Sequence, residues 1–187
     1  MTELEMKKYS RNALLGSFVS MLTAGLATMM YSVSISTIRT DLALTAVQAG
    51  SLGTYTFMGQ MLGGMVAGYL ADRYGRKNIL IVDVILATLA VFATSLLQSY
   101  SIFGILRFIT GVGLGGCYYI ASILIGEFVP TNKRGFMSGV ATSVWNFGYV
   151  VCCAMSAFAL PSIGWRWCFR ICALPIVFVI FMIFGMK

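Results

Sequence analysis

Six apolar runs dominate this sequence, at about 13–37, 48–70, 79–97, 102–126, 136–160 and 168–186. As a helix, each is long enough to cross a hydrocarbon slab roughly 30 Å thick. In lipid every backbone polar group needs a partner within its own segment, so uninterrupted runs of this length predict helices. A β-barrel is excluded, because the runs do not alternate and are about twice as long as a barrel strand. Composition agrees with this reading. The 187 residues are 59% hydrophobic and 10% charged, where soluble domains average about 45–50% and about 25%. That balance excludes a soluble globular domain, a disordered chain and a disulfide-stapled secreted domain. The net charge of +7 does not indicate a nucleic-acid partner, because the basic residues form short clusters between the runs, not one patch or stripe. The expected fold class is an all-α membrane protein with six transmembrane helices, in a single domain over residues 1–187.

Lys7, Lys8 and Arg11 precede the first run, as in the charged start of a signal peptide. The run is longer than a signal core and ends in Arg39-Thr40-Asp41 without a small-residue cleavage site, so it reads as a retained helix. Lys and Arg then set the orientation. One side carries Lys7, Lys8, Arg11, Arg73, Arg76, Lys77, Lys133, Arg134 and Lys187, and the other carries Arg39, Arg166 and Arg170. This bias predicts a multi-pass protein of the cell (plasma) membrane with both termini cytoplasmic. Gly75-Arg76 after the second run and Gly164-Trp165-Arg166 after the fifth lie on opposite sides. They suggest two inverted three-helix repeats, an arrangement that recurs in transporters.

Between the second and third runs stands Gly68-Tyr69-Leu70-Ala71-Asp72-Arg73-Tyr74-Gly75-Arg76-Lys77. Gly68 lets its helix approach a neighbour closely, and Gly75 suits a tight turn with positive φ. Asp72 lies among Arg73, Arg76 and Lys77, where it can exchange partners or favour a helix N-terminus. With Glu127 and Arg134, which lie beyond the fourth run, these residues form a candidate cytoplasmic gate. An ordinary positive-inside loop accounts for the cations but not for Asp72 or the glycine spacing.

These ten residues resemble the helix 2–3 signature of the major facilitator superfamily, G-x-L-a-D-r-x-G-R-K/R. Residues 107–116, Arg107-Phe108-Ile109-Thr110-Gly111-Val112-Gly113-Leu114-Gly115-Gly116, are similar to its helix-4 pattern R-F-x-x-G-x-G-x-G-G. Glu127-Phe128-Val129-Pro130 with Arg134-Gly135, and Gly164-Trp165-Arg166-Trp167, resemble the junctions flanking its fifth helix in the sugar, organic-acid and metabolite porters. The resemblance covers the whole chain but only the N-terminal half of a family pattern of about twelve helices. It implies that this is half of a major-facilitator fold, with solute held between it and a second six-helix half. In that family the residue matching Arg107 is linked to coupling. One branch of proton symporters carries D-G-F/Y-D where Ala24 to Ala27 stand here. Both carboxylates are missing, so proton symport does not carry over from it.

Arg107 falls inside the fourth run, where a cation costs at least about 2.5 kcal/mol unless it meets water or a partner. Gly111, Leu114 and Tyr118 recur at its angle, which predicts one face with a cation, a gap and a phenol. Together with Gly115, these residues are candidates for solute contact or coupling. The alternative is an arginine snorkelling to the outer interface. Asp83, a turn into the third run, is a candidate proton site or a residue that simply reaches the interface. Tyr31, Tyr55, Gln60, Trp145, Asn146 and Tyr149 are candidates to line a cavity, the two amides foremost because a buried amide needs a partner.

The sequence has no histidine and five cysteines, all inside the runs. They read as free thiols packed as small hydrophobes, and no metal site is expected. There is no P-loop, and the glycines at 111–115 sit inside an apolar run with no strand before them, so no cofactor is expected. No catalytic constellation stands out, and the chain does not read as an enzyme. The expected partners are the lipid bilayer, a small-molecule solute and a second six-helix half, from the same longer chain, a homodimer or a separate subunit. The function read from these features is secondary transport of a small polar or anionic organic solute by alternating access. The alternative is a half-size module or truncated fragment that does not transport alone.

Overall fold

Two turns set the ends of the second helix. Thr45 caps its start: the Thr45 hydroxyl accepts from the Gln48 N–H at 3.2 Å, and the Gln48 side chain accepts from the Thr45 N–H at 2.9 Å. This reciprocal capping box satisfies two orphan donors. Gly75 ends the helix at φ 89°, a left-handed conformation that only glycine adopts without strain, and starts the next one in the same step. The computed structural model describes residues 3–97 and 99–174, with side chains from Arg11 onward. Its helices are α1 (Glu3–Asp41), α2 (Ala46–Tyr74), α3 (Arg76–Thr94), α4 (Tyr100–Phe128), α5 (Arg134–Phe158) and α6 (Leu160–Cys172), with a short 3₁₀ turn at Thr131–Lys133. No strand occurs among the described residues.

The helices run past the apolar segments into their polar flanks. α6 follows α5 after the single residue Ala159 and is itself broken at Gly164, where φ is +77°, so the chain turns a corner inside α6 and not at a loop. Most of the expected sixth span, 168–186, lies outside the described residues. Among the described residues, four helical segments are long and apolar enough to cross a membrane: Arg11–Asp41, Arg76–Thr94, Tyr100–Phe128 and Thr131–Phe158. α2 is long enough at 29 residues but is not among them. Its positions go to Gly50, Gly53, Gly59, Gly63, Gly64 and Gly68, with Thr and Gln between them, and these lower its hydropathy.

Those glycines explain the packing. A Cβ added at Gly59 or Gly63 would strike the carbonyls of Phe108 and Val112. One added at Gly111 or Gly115 would strike those of Thr56 and Gln60. α2 and α4 are therefore in backbone-to-backbone contact. α1 and α5 meet the same way, through Gly25 against the Trp145 carbonyl and Gly148 against Leu22, Gly25 and Leu26. Lipid provides no hydrophobic drive for helix association, so small residues that permit close contact take its place. Buried hydroxyls within α1 are satisfied by their own helix: Ser17, Ser20 and Thr23 donate to the carbonyls of Ala13, Ser17 and Val19. The main core joins Met30, Tyr31, Leu52, Phe103, Leu114, Trp165 and Phe169. Phe57, Met61, Met65, Val66 and Tyr69 on α2, and Phe136, Phe147, Val150 and Phe158 on α5, are exposed. So large an apolar surface belongs against lipid or another protein, not water.

The glycines divide into two classes that substitution separates. Gly59→Leu should destabilise the purified protein by about 1–3 kcal/mol or more through overpacking. Gly50→Ala, where a Cβ meets nothing within 4 Å, should stabilise α2 by roughly 0.5–1 kcal/mol. Equilibrium unfolding in mixed micelles reads both.

Candidate functional site

Two hollows that share part of their lining open between α1, α2 and α4. The larger, about 500 Å³, is lined by Ala24 and Thr28 of α1, Phe57, Gln60 and Met61 of α2, Leu114, Tyr118 and Tyr119 of α4, and Trp145 of α5. It brings together five residues singled out from the sequence, Gln60, Leu114, Gly115, Tyr118 and Trp145. It also contains Ala24, one of the positions where a carboxylate is missing. The smaller, about 260 Å³, lies between α1 and α2 and is lined by Thr28, Tyr31, Ser32, Ile35, Thr56 and Phe57, with Arg107 from α4. The two hollows share Thr28 and Phe57.

Arg107 departs from its expected setting. It does not share a wet face with Gly111 and Tyr118, and it does not snorkel. Its residue is 1% exposed, and its guanidinium carbon lies 4.4 Å from the ring centre of Tyr31, 5.1 Å from Phe169 and 5.7 Å from Phe103. Helical side chains lean toward the N-terminus of their own helix. A long one therefore carries its head about a turn back, to Phe103, while Gly111 turns to α2 and Tyr118 stays at the exposed larger hollow. None of the three guanidinium nitrogens has a hydrogen-bond partner. Tyr31 is fixed by its own bond, its hydroxyl donating to the Ala49 carbonyl at 2.5 Å.

Where α2 gives way to α3, Arg76 and not Asp72 is the hub. Arg76 forms an ion pair with Glu127 and lies 3.9 Å from Asp72, whose side chain is 76% exposed. Arg76 stands at the N-terminus of α3 and Glu127 in the last turn of α4. Each therefore opposes its own helix dipole, and each relieves the other. Arg73 lies over the Tyr74 ring at 5.6 Å, Arg134 donates from Nε to the Val129 carbonyl at 3.1 Å, and Gly68 faces the ring of Tyr119. Lys77 is half-buried at the start of α3.

Sequence reasoning missed a second charged cluster, at the end of α1. Asp41, the last residue of α1, accepts from the Trp165 indole N–H at 2.9 Å and pairs with Arg166 at 3.0 Å. Arg166 and Arg170 lie over Trp165 and Trp167 at 4.7 and 4.6 Å, around a hollow of about 590 Å³. The available signal was Asp41 itself, an acid placed by the charge count on a side that otherwise holds only cations. Of the remaining candidates, Tyr55 packs against Gly104. Asn146 donates to the Thr142 carbonyl of its own helix, and neither it nor the exposed Tyr149 lines either hollow. Asp83 is buried between α3 and α4, its carboxyl against Gly116, and lines neither hollow.

A sequence model of the Major Facilitator Superfamily matches residues 17–186. The chain belongs to the major facilitator superfamily. It is 33% identical over 172 residues to a cis,cis-muconate transport protein of Acinetobacter baylyi, covering 92% of this chain and 42% of that protein. It is 34% identical over 145 residues to the niacin transporter NiaP of the same organism, covering 78% and 33%. A solved structure of the proton:xylose symporter XylE superposes with a TM-score of 0.81 at 21% identity, over 95% of this chain and 45% of that one. That likeness establishes the fold. The chain spans less than half the length of these relatives. The family is one of transporters of metabolites, organic acids and sugars across membranes, not of enzymes.

The Arg76–Glu127 ion pair gives a direct test of its geometry. A double-mutant cycle on Arg76→Ala and Glu127→Ala should return a coupling of roughly 0.5–1 kcal/mol, and the Arg76/Asp72 cycle should stay near zero.

Proposed function

We propose that this chain forms the N-terminal half of a secondary transporter in the plasma membrane, carrying a small polar or anionic organic solute by alternating access. The carrying observation is the larger hollow. Four helices converge on it, and it is lined by the polar residues Gln60 and Thr28 among aromatic walls. A second six-helix half would close it, as midplane sites between repeats are closed in transporters. The two relatives' names, muconate and niacin, are both those of carboxylic acids, which favours an organic anion as cargo.

Six spans in two inverted three-helix repeats, with both termini cytoplasmic, form the frame of this reading. Exchanging helix 1 with 4, 2 with 5 and 3 with 6 converts the close pair α1–α5 into α4–α2. It also converts the outer tie of Asp41 on α1 to Arg166 on α6 into the inner tie of Glu127 on α4 to Arg76 on α3. The positive-φ glycines Gly164 and Gly75 exchange as well. Such correspondences support a repeat. The inner cluster then serves as the cytoplasmic gate, with Asp72 as the exposed partner that Arg76 takes when Glu127 moves away.

Counterflow in proteoliposomes tests this proposal. Saturable exchange of a labelled organic acid is expected when both halves are present, and its complete absence overturns the carrier reading. Exchange absent from this chain alone but restored by a second half is what a carrier assembled from two halves gives. Asp72→Asn should slow exchange about tenfold or more while leaving membrane insertion intact, and wild-type flux in that variant removes the gate role.

A further inference from the structure

Arg107 is a buried cation with no counter-charge in the described structure. The chain has six acidic residues, and the four with described side chains are engaged or placed elsewhere. Asp41 holds Arg166 and Trp165, Glu127 holds Arg76 with Asp72 beside it, and Asp83 lies against Gly116. Glu3 and Glu5 belong to the first two turns of α1, far along the chain from the ring cage. The rings do not make up the deficit. Cation–π contact reaches about 2 kcal/mol when desolvated, whereas a buried ion costs several kcal/mol even after relaxation. A second group is also left unsatisfied nearby. The Thr28 hydroxyl is buried without a partner, and Thr28 borders both hollows.

We propose that the cargo supplies the missing charge: the carboxylate of an amphipathic monocarboxylic acid docks at Arg107 and Thr28, with its apolar body in the larger hollow. This inference rests on the carrier reading and narrows its substrate class. The guanidinium fork suits a carboxylate's two oxygens. A single unpaired cation balances a monoanion, and a phosphate dianion would keep one charge uncompensated. At about 260 Å³ the smaller hollow is below the roughly 300–1,000 Å³ of ordinary ligand sites, so it holds a headgroup. The body then passes Thr28 and Phe57 into the larger hollow, whose walls include Met61, Leu114 and Trp145.

The test needs no flux. Thermal unfolding of the full chain in detergent is followed with sodium benzoate, with benzamide as the uncharged isostere and with sodium chloride at equal ionic strength. Benzoate at a hundredfold excess over its Kd should raise Tm by about 5 °C, with no shift from benzamide or chloride. Arg107→Gln should abolish the shift and raise the ligand-free Tm, because it deletes an unpaired buried charge. Arg107→Lys should weaken benzoate about tenfold or more, since the fork is lost. If Arg107→Gln does not fold, Thr28→Val should still weaken benzoate. Equal shifts from benzamide or chloride, or a benzoate shift retained in Arg107→Gln or undiminished in Thr28→Val, overturn the proposal. Exchange of a neutral solute without any benzoate shift also overturns it and leaves the carrier reading standing.

Discussion

Backbone-to-backbone contact between helices is the constraint from which the rest of this structure follows. Lipid satisfies no peptide group, so each segment is a helix, and lipid gives no apolar incentive for helices to associate. What remains is close approach. Gly59 and Gly63 against Gly111 and Gly115 bring α2 and α4 together, and Gly25 and Gly148 do the same for α1 and α5. The cost is hydropathy, because α2 falls short of the apolar standard that its neighbours meet. A helix can give up that margin only if its glycine face meets another helix. Its lipid-facing or partner-facing side keeps Phe57, Met61 and Met65 exposed for the same reason.

Charge placement follows from that framework. With the rods fixed side by side, charged groups meet at their ends, and both observed ties join the C-terminal end of one helix to the N-terminal start of another. Glu127 and Asp41 each sit where the helix dipole already points negative, and Arg76 and Arg166 follow a glycine corner where it points positive. Neither member of such a pair is well placed alone. The ties are therefore more sensitive to a small shift of one helix end than a pair lodged within a single helix, where i,i+4 geometry is held by the backbone. That sensitivity suits a gate.

Much of this was legible in the sequence. The length of the apolar runs fixes helices, Gly75 marks a corner, and the signature at 68–77 names the family. What the sequence did not reveal is which partner a side chain reaches across helices. Arg76, one cation among several in a row, becomes the hub because α4 ends beside it and presents Glu127. Asp41 reads as the polar end of a run, and its bond to Trp165 depends on the turn at Gly164, more than a hundred residues away. Arg107 was placed by angle on a face with Tyr118. Angle locates a Cβ, but the head of a long side chain is set by its lean toward the helix N-terminus, and that carries it into the rings of Tyr31, Phe103 and Phe169.

The burial of Arg107 also bears on why this half would need a solute and not merely a second half. Among the described residues the guanidinium is enclosed by rings of α1, α4 and α6, away from the exposed apolar sides of α2 and α5 where the proposed second half would lie. In the proposed arrangement its charge is met from within, through the hollow that Tyr31 and Thr28 border. Water could enter there and hydrate the group, but a neutral guest leaves the net charge in place in a medium where Coulomb energies are large. An anion removes it. The same interaction that makes the empty site costly therefore makes the occupied one favourable. That difference in stability between empty and loaded forms is what a carrier needs if its cargo is to shift it between states.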